Sequence, residues 1–264
     1  MYGQERARAL ELRERYPHAG EVLGLYLALV GVWESACGCA RLKQAAAEVL
    51  PRVVAATVAH GPPALAKAVG GAVGGAGSGA GGGDGAALLA AWVADEELTP
   101  VERYLARATM RVVPFEGRPE GAPGRCPACG GPPQLSYRVA SEDPLVSGRR
   151  VLACAKCPHE WSFSATTCPN CGESGRRTVH AEGAGGAPGD RAAPSVGRRE
   201  AEAEALFPQL RAETCESCHR YLIDVDLGRE PRAVPRVDEL AAVPIDLHMA
   251  EQGHTKITPN LMGF

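Results

Sequence analysis

Of the ten cysteines in this 264-residue chain, eight fall into four C-x-x-C pairs: Cys126 and Cys129, Cys154 and Cys157, Cys168 and Cys171, Cys215 and Cys218. Two thiolates at this spacing leave one tight turn side by side, so both can reach the same metal ion. Glycine after the second cysteine helps, because it accepts the positive φ with which such a turn closes. Cys126-Pro127-Ala128-Cys129-Gly130 and Cys168-Pro169-Asn170-Cys171-Gly172 have that form in full; Cys154-Ala155-Lys156-Cys157 and Cys215-Glu216-Ser217-Cys218 are plainer. Two pairs make one tetrahedral site of four sulfurs. Consecutive pairing predicts one site from Cys126, Cys129, Cys154 and Cys157 and a second from Cys168, Cys171, Cys215 and Cys218. Interleaved, cross-braced pairing is the alternative. Two mononuclear ions are expected, and an all-sulfur donor set suits iron or zinc.

The C-P-x-C-G form is also the knuckle of rubredoxin, which favours iron over zinc here. The composition gives such ions a structural task. Hydrophobic residues make up 45%, but 44 of them are alanine, aromatics are only 5%, and there are 32 Gly and 21 Pro. The core of large side chains is therefore thin, and metal staples are expected to support it. Redox work by the metal or thiols is the sharper alternative. His159 and His219 flank knuckles that already have four sulfurs, so both are expected to be exposed rather than ligating. Trp161 beside the second knuckle is expected to cover the site. Cys37-Gly38-Cys39 is too closely spaced for a knuckle and reads as small residues at a helix end. The chain shows no acid–base pair, nucleophile elbow or phosphate loop, so it is read as a non-enzyme. Four thiolates around a divalent ion carry about −2. Two such centres take the formal net charge from −3 to about −7, which argues against nucleic acid as a partner.

The elements that must carry these turns change character along the chain. Residues 1–113 read as an all-α domain. Val22, Tyr26, Leu29, Val30 and Trp33 share one helix face. Ala40–Leu50 is a helical run, closed or bent at Pro51, and Val53–His60 follows. Thr99, Pro100 and Glu102 spell a capping box for a helix over 100–111. The apolar run Val22–Trp33 is too short to span a bilayer. Residues 1–21 balance their arginines with glutamates, unlike a signal peptide. A cytoplasmic protein without membrane contact is expected. The Gly-rich stretches at 70–85 and 181–197 read as flexible insertions, and 198–213 as helical or simply solvated. Leu135–Ala140, Arg150–Ala153, Trp161–Thr167 and Tyr221–Leu227 read as strands. Pro244 is placed in the first turn of a short helix that Gly253 ends. The fold class is thus α+β: the helical domain, then tandem rubredoxin-like (zinc-ribbon-like) four-cysteine metal modules at 124–167 and 168–236, then a short helical tail at 237–264.

The order of these motifs resembles the FdhE family of formate dehydrogenase accessory proteins. Cys126–Gly130 with Pro132 is similar to the family's first knuckle, and Leu152-Ala153-Cys154 through Glu160-Trp161 to its L-x-C-x-x-C-x-x-E-W segment. Cys168–Cys171 is similar to the third knuckle. Cys215–Cys218 with Tyr221-Leu222 resembles C-x-x-C-x-x-Y-L, and Asp238, Leu240, Asp246, Leu247, Glu251, Gly253 and Asn260 resemble the family ending. The likeness covers about residues 120–264. Ala165 and Ile223 stand where the family tends to carry basic residues. The resemblance implies a cytoplasmic protein with iron at two rubredoxin-like sites. It also implies association with the catalytic subunit of a molybdenum- or tungsten-dependent formate dehydrogenase, which needs such a protein to become active. A zinc-ribbon nucleic-acid binder and a rubredoxin-like electron carrier are the alternatives.

Overall fold

A computed structural model describes residues 2–36, 41–74, 85–114, 124–139, 148–181 and 206–263. Cys37 and Cys39, the turn at 141–144 and nearly all of the second Gly-rich insertion lie outside these residues. The chain divides into two units. One takes in Met1–Pro119 with the short stretches Ala128–Gly130 and Pro259–Phe264, the other Glu120–Pro127 and Gly131–Thr258.

The first unit is helical: α1 (Gly3–Arg15), α2 (Gly20–Ser35), α3 (Leu42–Gln44), α4 (Leu50–His60), α5 (Pro63–Gly74), α6 (Gly85–Val93) and α7 (Pro100–Met110). The α2 face expected from periodicity is buried throughout: Val22, Tyr26, Leu29, Val30 and Trp33. Trp33 is fully buried and donates its indole N–H to the Ala108 carbonyl at 2.8 Å, which satisfies the one polar atom it takes inside. Thr99 and Glu102 form the expected capping box, with the Thr99 N–H donating to Glu102 Oε2 at 2.9 Å. The bend expected at Pro51 is a π-helical turn over Ala45–Val49 leading into α4. Proline has no N–H and crowds the preceding turn, and a wider turn relieves both. One expectation is corrected. The stretch read as flexible from residue 70 is helical up to Gly74, because Val69 is fully buried and anchors the end of α5.

The second unit is built on a seven-stranded sheet in the order β3-β2-β1-β6-β5-β4, with β7 also pairing β6. The strands are β1 (Pro133–Val139), β2 (Arg149–Cys154), β3 (Glu160–Ser162), β4 (Arg177–Ala181), β5 (Leu210–Cys215), β6 (Arg220–Asp226) and β7 (Thr255–Lys256). Antiparallel β1–β2–β3 carries the first two knuckles at its turns; antiparallel β4–β5–β6 carries the last two. A parallel pairing of β1 with β6, Ser136 opposite Asp224, joins the two sets into one sheet. β5 replaces the helical or solvated reading of 210–213, since its polar side chains are turned inward rather than into water. β3 is shorter than expected: only 160–162 are strand, and Thr167 then makes an isolated bridge with Ser174.

The tail is tied onto this sheet by a short helix α8 (Pro235–Asp238) and by α9 (Val243–Glu251), which ends at Gly253 with φ 78°. The residues that resemble the family ending explain the attachment. Buried Asp238 accepts from the Val234 N–H at 2.8 Å and from Gln209 at 3.1 Å. Asp246 accepts from the Tyr221 hydroxyl at 2.9 Å and from Lys256 Nζ at 3.1 Å. Among the described residues, no helix is long and apolar enough to cross a membrane.

Candidate metal centres

The fold gathers the eight cysteines into two quartets: Cys126, Cys129, Cys154 and Cys157, and Cys168, Cys171, Cys215 and Cys218. Within each quartet all four sulfurs lie within 4.8 Å of one another. These are the groups that consecutive pairing predicts. None of these eight cysteines is joined in a disulfide. Sulfur–sulfur distances are 3.6 Å for Cys126–Cys157, 3.7 Å for Cys171–Cys215 and 3.9 Å for Cys168–Cys218. Four sulfurs bonded at about 2.3 Å to one tetrahedral ion sit roughly 3.8 Å apart, whereas bonded sulfurs are about 2.05 Å apart. The spacing therefore fits a shared ion, and both quartets could hold one.

Each knuckle is shaped by its own backbone. Gly130 and Gly172 close theirs with φ 71° and 79°, as the C-P-x-C-G form requires. The fourth closes on His219 at φ 53°, a left-handed residue that is not glycine. Pro158 follows the second knuckle, and Cys154 N–H donates to the His159 carbonyl at 3.1 Å, as Cys126 does to Gly131 and Cys168 to Glu173. Peptide N–H groups point at the sulfurs: Lys156 donates to Cys154 Sγ at 3.3 Å. Asn170 and Cys171 donate to Cys168 Sγ, and Ser217 and Cys218 to Cys215 Sγ. Burial and the nearby Cys218 push the Cys168 thiol up to about 12 despite these donors. Cys215 goes the other way: burial opposes its ionisation, but the Cys218 and Ser217 N–H groups and the thiols of Cys171 and Cys168 outweigh it. Four thiolates this close cannot all ionise without a cation between them. The donor set therefore fits a divalent or trivalent ion.

The two quartets differ in their surroundings. Every cysteine of the first is buried, with Cys126 and Cys154 wholly so. In the second, Cys171 is exposed and Cys218 half-buried. His159 and His219 are both exposed, as expected. Trp161 is half-exposed and stacks on His159 with ring centres 6.5 Å apart. Its neighbour Glu160 accepts from the Tyr137 hydroxyl at 2.5 Å.

Two clusters were not visible in the sequence. One is a charged network inside the sheet. Glu213 on β5 is buried and pairs with Arg138 of β1, Arg150 of β2 and Arg177 of β4; its distance to Arg150 is 2.6 Å. Buried Asp224 on β6 pairs with Arg138 at 3.0 Å and Arg211 at 2.7 Å, and accepts from Ser136 Oγ at 2.5 Å. The network spans the β1–β6 seam and so locks the strands of one quartet to those of the other. The other cluster is a set of histidines beside the second quartet. His254 lies 6.1 Å from His180 and 6.0 Å from His219 between ring centres. Burial, then His254 and His248, hold His180 below the usual imidazole value. Ile223, where the family tends to carry a basic residue, is fully buried in β6.

Comparison with known proteins agrees with this geometry. Residues 195–262 match the FdhE C-terminal domain. A Protein FdhE homolog of Aquifex aeolicus is 28% identical over 139 residues, 53% of this chain and 41% of its own length. One from Pseudomonas aeruginosa is 31% identical over 137 residues, 52% of this chain and 38% of its own. The matched region is thus about two fifths of the length of these curated relatives. The crystal structure of the FdhE protein from Pseudomonas aeruginosa superposes with a TM-score of 0.61 at 20% identity, covering 99% of this chain and 95% of that one. That likeness establishes a shared fold. Residues 195–262 thus match the FdhE C-terminal domain, and about half of the chain is similar to FdhE homologues.

Proposed function

We propose that this protein is an accessory factor for the biogenesis and activation of formate dehydrogenase, acting in the cytoplasm by binding the enzyme's catalytic subunit. The observation that carries this reading is the pair of sulfur quartets built into the sheet of a chain that matches the FdhE C-terminal domain over residues 195–262. Cys126, Cys129, Cys154 and Cys157 hold one ion, and Cys168, Cys171, Cys215 and Cys218 the other, iron being favoured and zinc the alternative. When bound, each ion supplies a cross-link between strand ends, and iron adds a one-electron couple. Residues 124–167 and 168–236 act as two metal modules, 1–113 as a helical domain and 237–264 as a tail. The protein performs no catalysis itself.

Deletion of the gene in its host tests the function. Formate dehydrogenase activity is expected to vanish while the enzyme polypeptide persists, and the catalytic subunit is expected to co-purify with a tagged copy of this chain. Normal activity in the deletion strain removes the reading. The exposed edge at Cys171 favours one second reading, a rubredoxin-like electron carrier. Voltammetry of the iron-loaded protein decides it: a reversible Fe(III)/Fe(II) wave supports the carrier, and a redox-silent protein dismisses it.

A further inference from the structure

The chain has seven histidines, and the fold brings three from distant stretches of sequence to one place. His180 stands on β4, His219 closes the fourth knuckle, and His254 lies between α9 and β7. Their positions are fixed by backbone. β4 pairs His180 with Ala212. The Thr255 N–H donates to the His219 carbonyl at 2.9 Å, and the His254 N–H to the Met249 carbonyl at 2.9 Å. The Nδ1 atom of His254, at the centre of the trio, is buried and has no hydrogen-bond partner among the described residues. A buried imidazole nitrogen without a partner is costly and calls for a ligand. His180 uses Nε2 against the Thr214 hydroxyl at 3.3 Å, which leaves its Nδ1 as a donor atom.

We propose that His180, His219 and His254 form a third metal site, taking a divalent transition-metal ion through neutral imidazole nitrogens beside the second sulfur quartet. Imidazole suits zinc, nickel, copper(II) and iron(II). With metal–nitrogen bonds of about 2.0–2.1 Å, two imidazoles on one ion have ring centres roughly 5–5.5 Å apart at tetrahedral or trigonal angles. The observed 6.0 and 6.1 Å are somewhat wider than that, so the rings close in as the ion binds. The nitrogens do not yet converge as the sulfurs do, so side-chain rotation accompanies binding; exposed His219 is free to swing. The site stands on its own geometry and does not depend on the role in formate dehydrogenase biogenesis.

The test uses the full chain with both quartets already filled with zinc. Calorimetric titration with further zinc is expected to show a third equivalent. The double variant His180→Gln/His254→Gln is expected to lose that equivalent while keeping two, and the double variant His18→Gln/His159→Gln, distant histidines in the sequence, is expected to keep all three. Histidine ring nuclear magnetic resonance on the unaltered protein gives a second reading that needs no variant: the His180 and His254 signals are expected to shift as the third ion binds. Saturation at two ions, a third ion that survives in His180→Gln/His254→Gln, or unmoved ring signals overturns the proposal.

Discussion

The two sulfur quartets have the same donors and the same knuckle geometry, yet they are set in opposite surroundings. The first is buried on all four sulfurs, and the second turns Cys171 to solvent and half-exposes Cys218. Ligand type alone would make them equivalent. Burial makes them different, because the shell around a metal site controls how easily water, protons and competing ligands reach it. An ion in the first quartet acts as core in a chain poor in large side chains. An ion in the second acts as a surface clip that can be reached and exchanged. The Glu213–Arg138–Arg150–Arg177 network joins β1 and β2 to β4 and β5 independently of metal.

Breaking the buried quartet is expected to have the largest effect. Cys154→Ser should cost on the order of 5 kcal/mol and leave one ion per chain, measured by chemical denaturation with elemental analysis. Glu213→Gln should come next. It strands the fully buried Arg150 among other arginines, at about 3–5 kcal/mol and a melting point lower by roughly 10 °C. Cys171→Ser sharpens the comparison from the other side. It is expected to lower retention of one ion while costing no more than about 2 kcal/mol, because the altered atom sits in water. Chelator challenge of the unaltered protein should likewise release metal in two phases, the second quartet first. A single phase, or equal losses from Cys154→Ser and Cys171→Ser, would show that burial does not separate the sites. The smallest effect belongs to Thr99→Ala, which removes the α7 cap. About 1 kcal/mol is expected, with metal content unchanged.

What could be read in advance was whatever is encoded locally. A knuckle is four residues long and a capping box also four, so Cys126–Cys129 and Thr99–Glu102 declare themselves. The Trp33 face of α2 follows from a period that needs no partner. The partners of Glu213 were not legible, because Arg-Ala-Glu-Thr reads as a solvated segment until β4 and β6 close over it on either side. The end of helix α5 was not legible, because its glycines from residue 70 read as a flexible insertion and nothing local shows that Val69 is buried. The histidine trio is the extreme case: positions 180, 219 and 254 carry no spacing signal and meet only through strand pairing.

X-ray absorption spectroscopy of the anaerobically purified protein, quantified against protein concentration, addresses the quartets most directly. Two ions per chain, each with four sulfurs at about 2.3 Å, are expected. One ion or none, mixed nitrogen and oxygen ligands at both centres, or sulfur–sulfur bonds in place of metal contradicts the account.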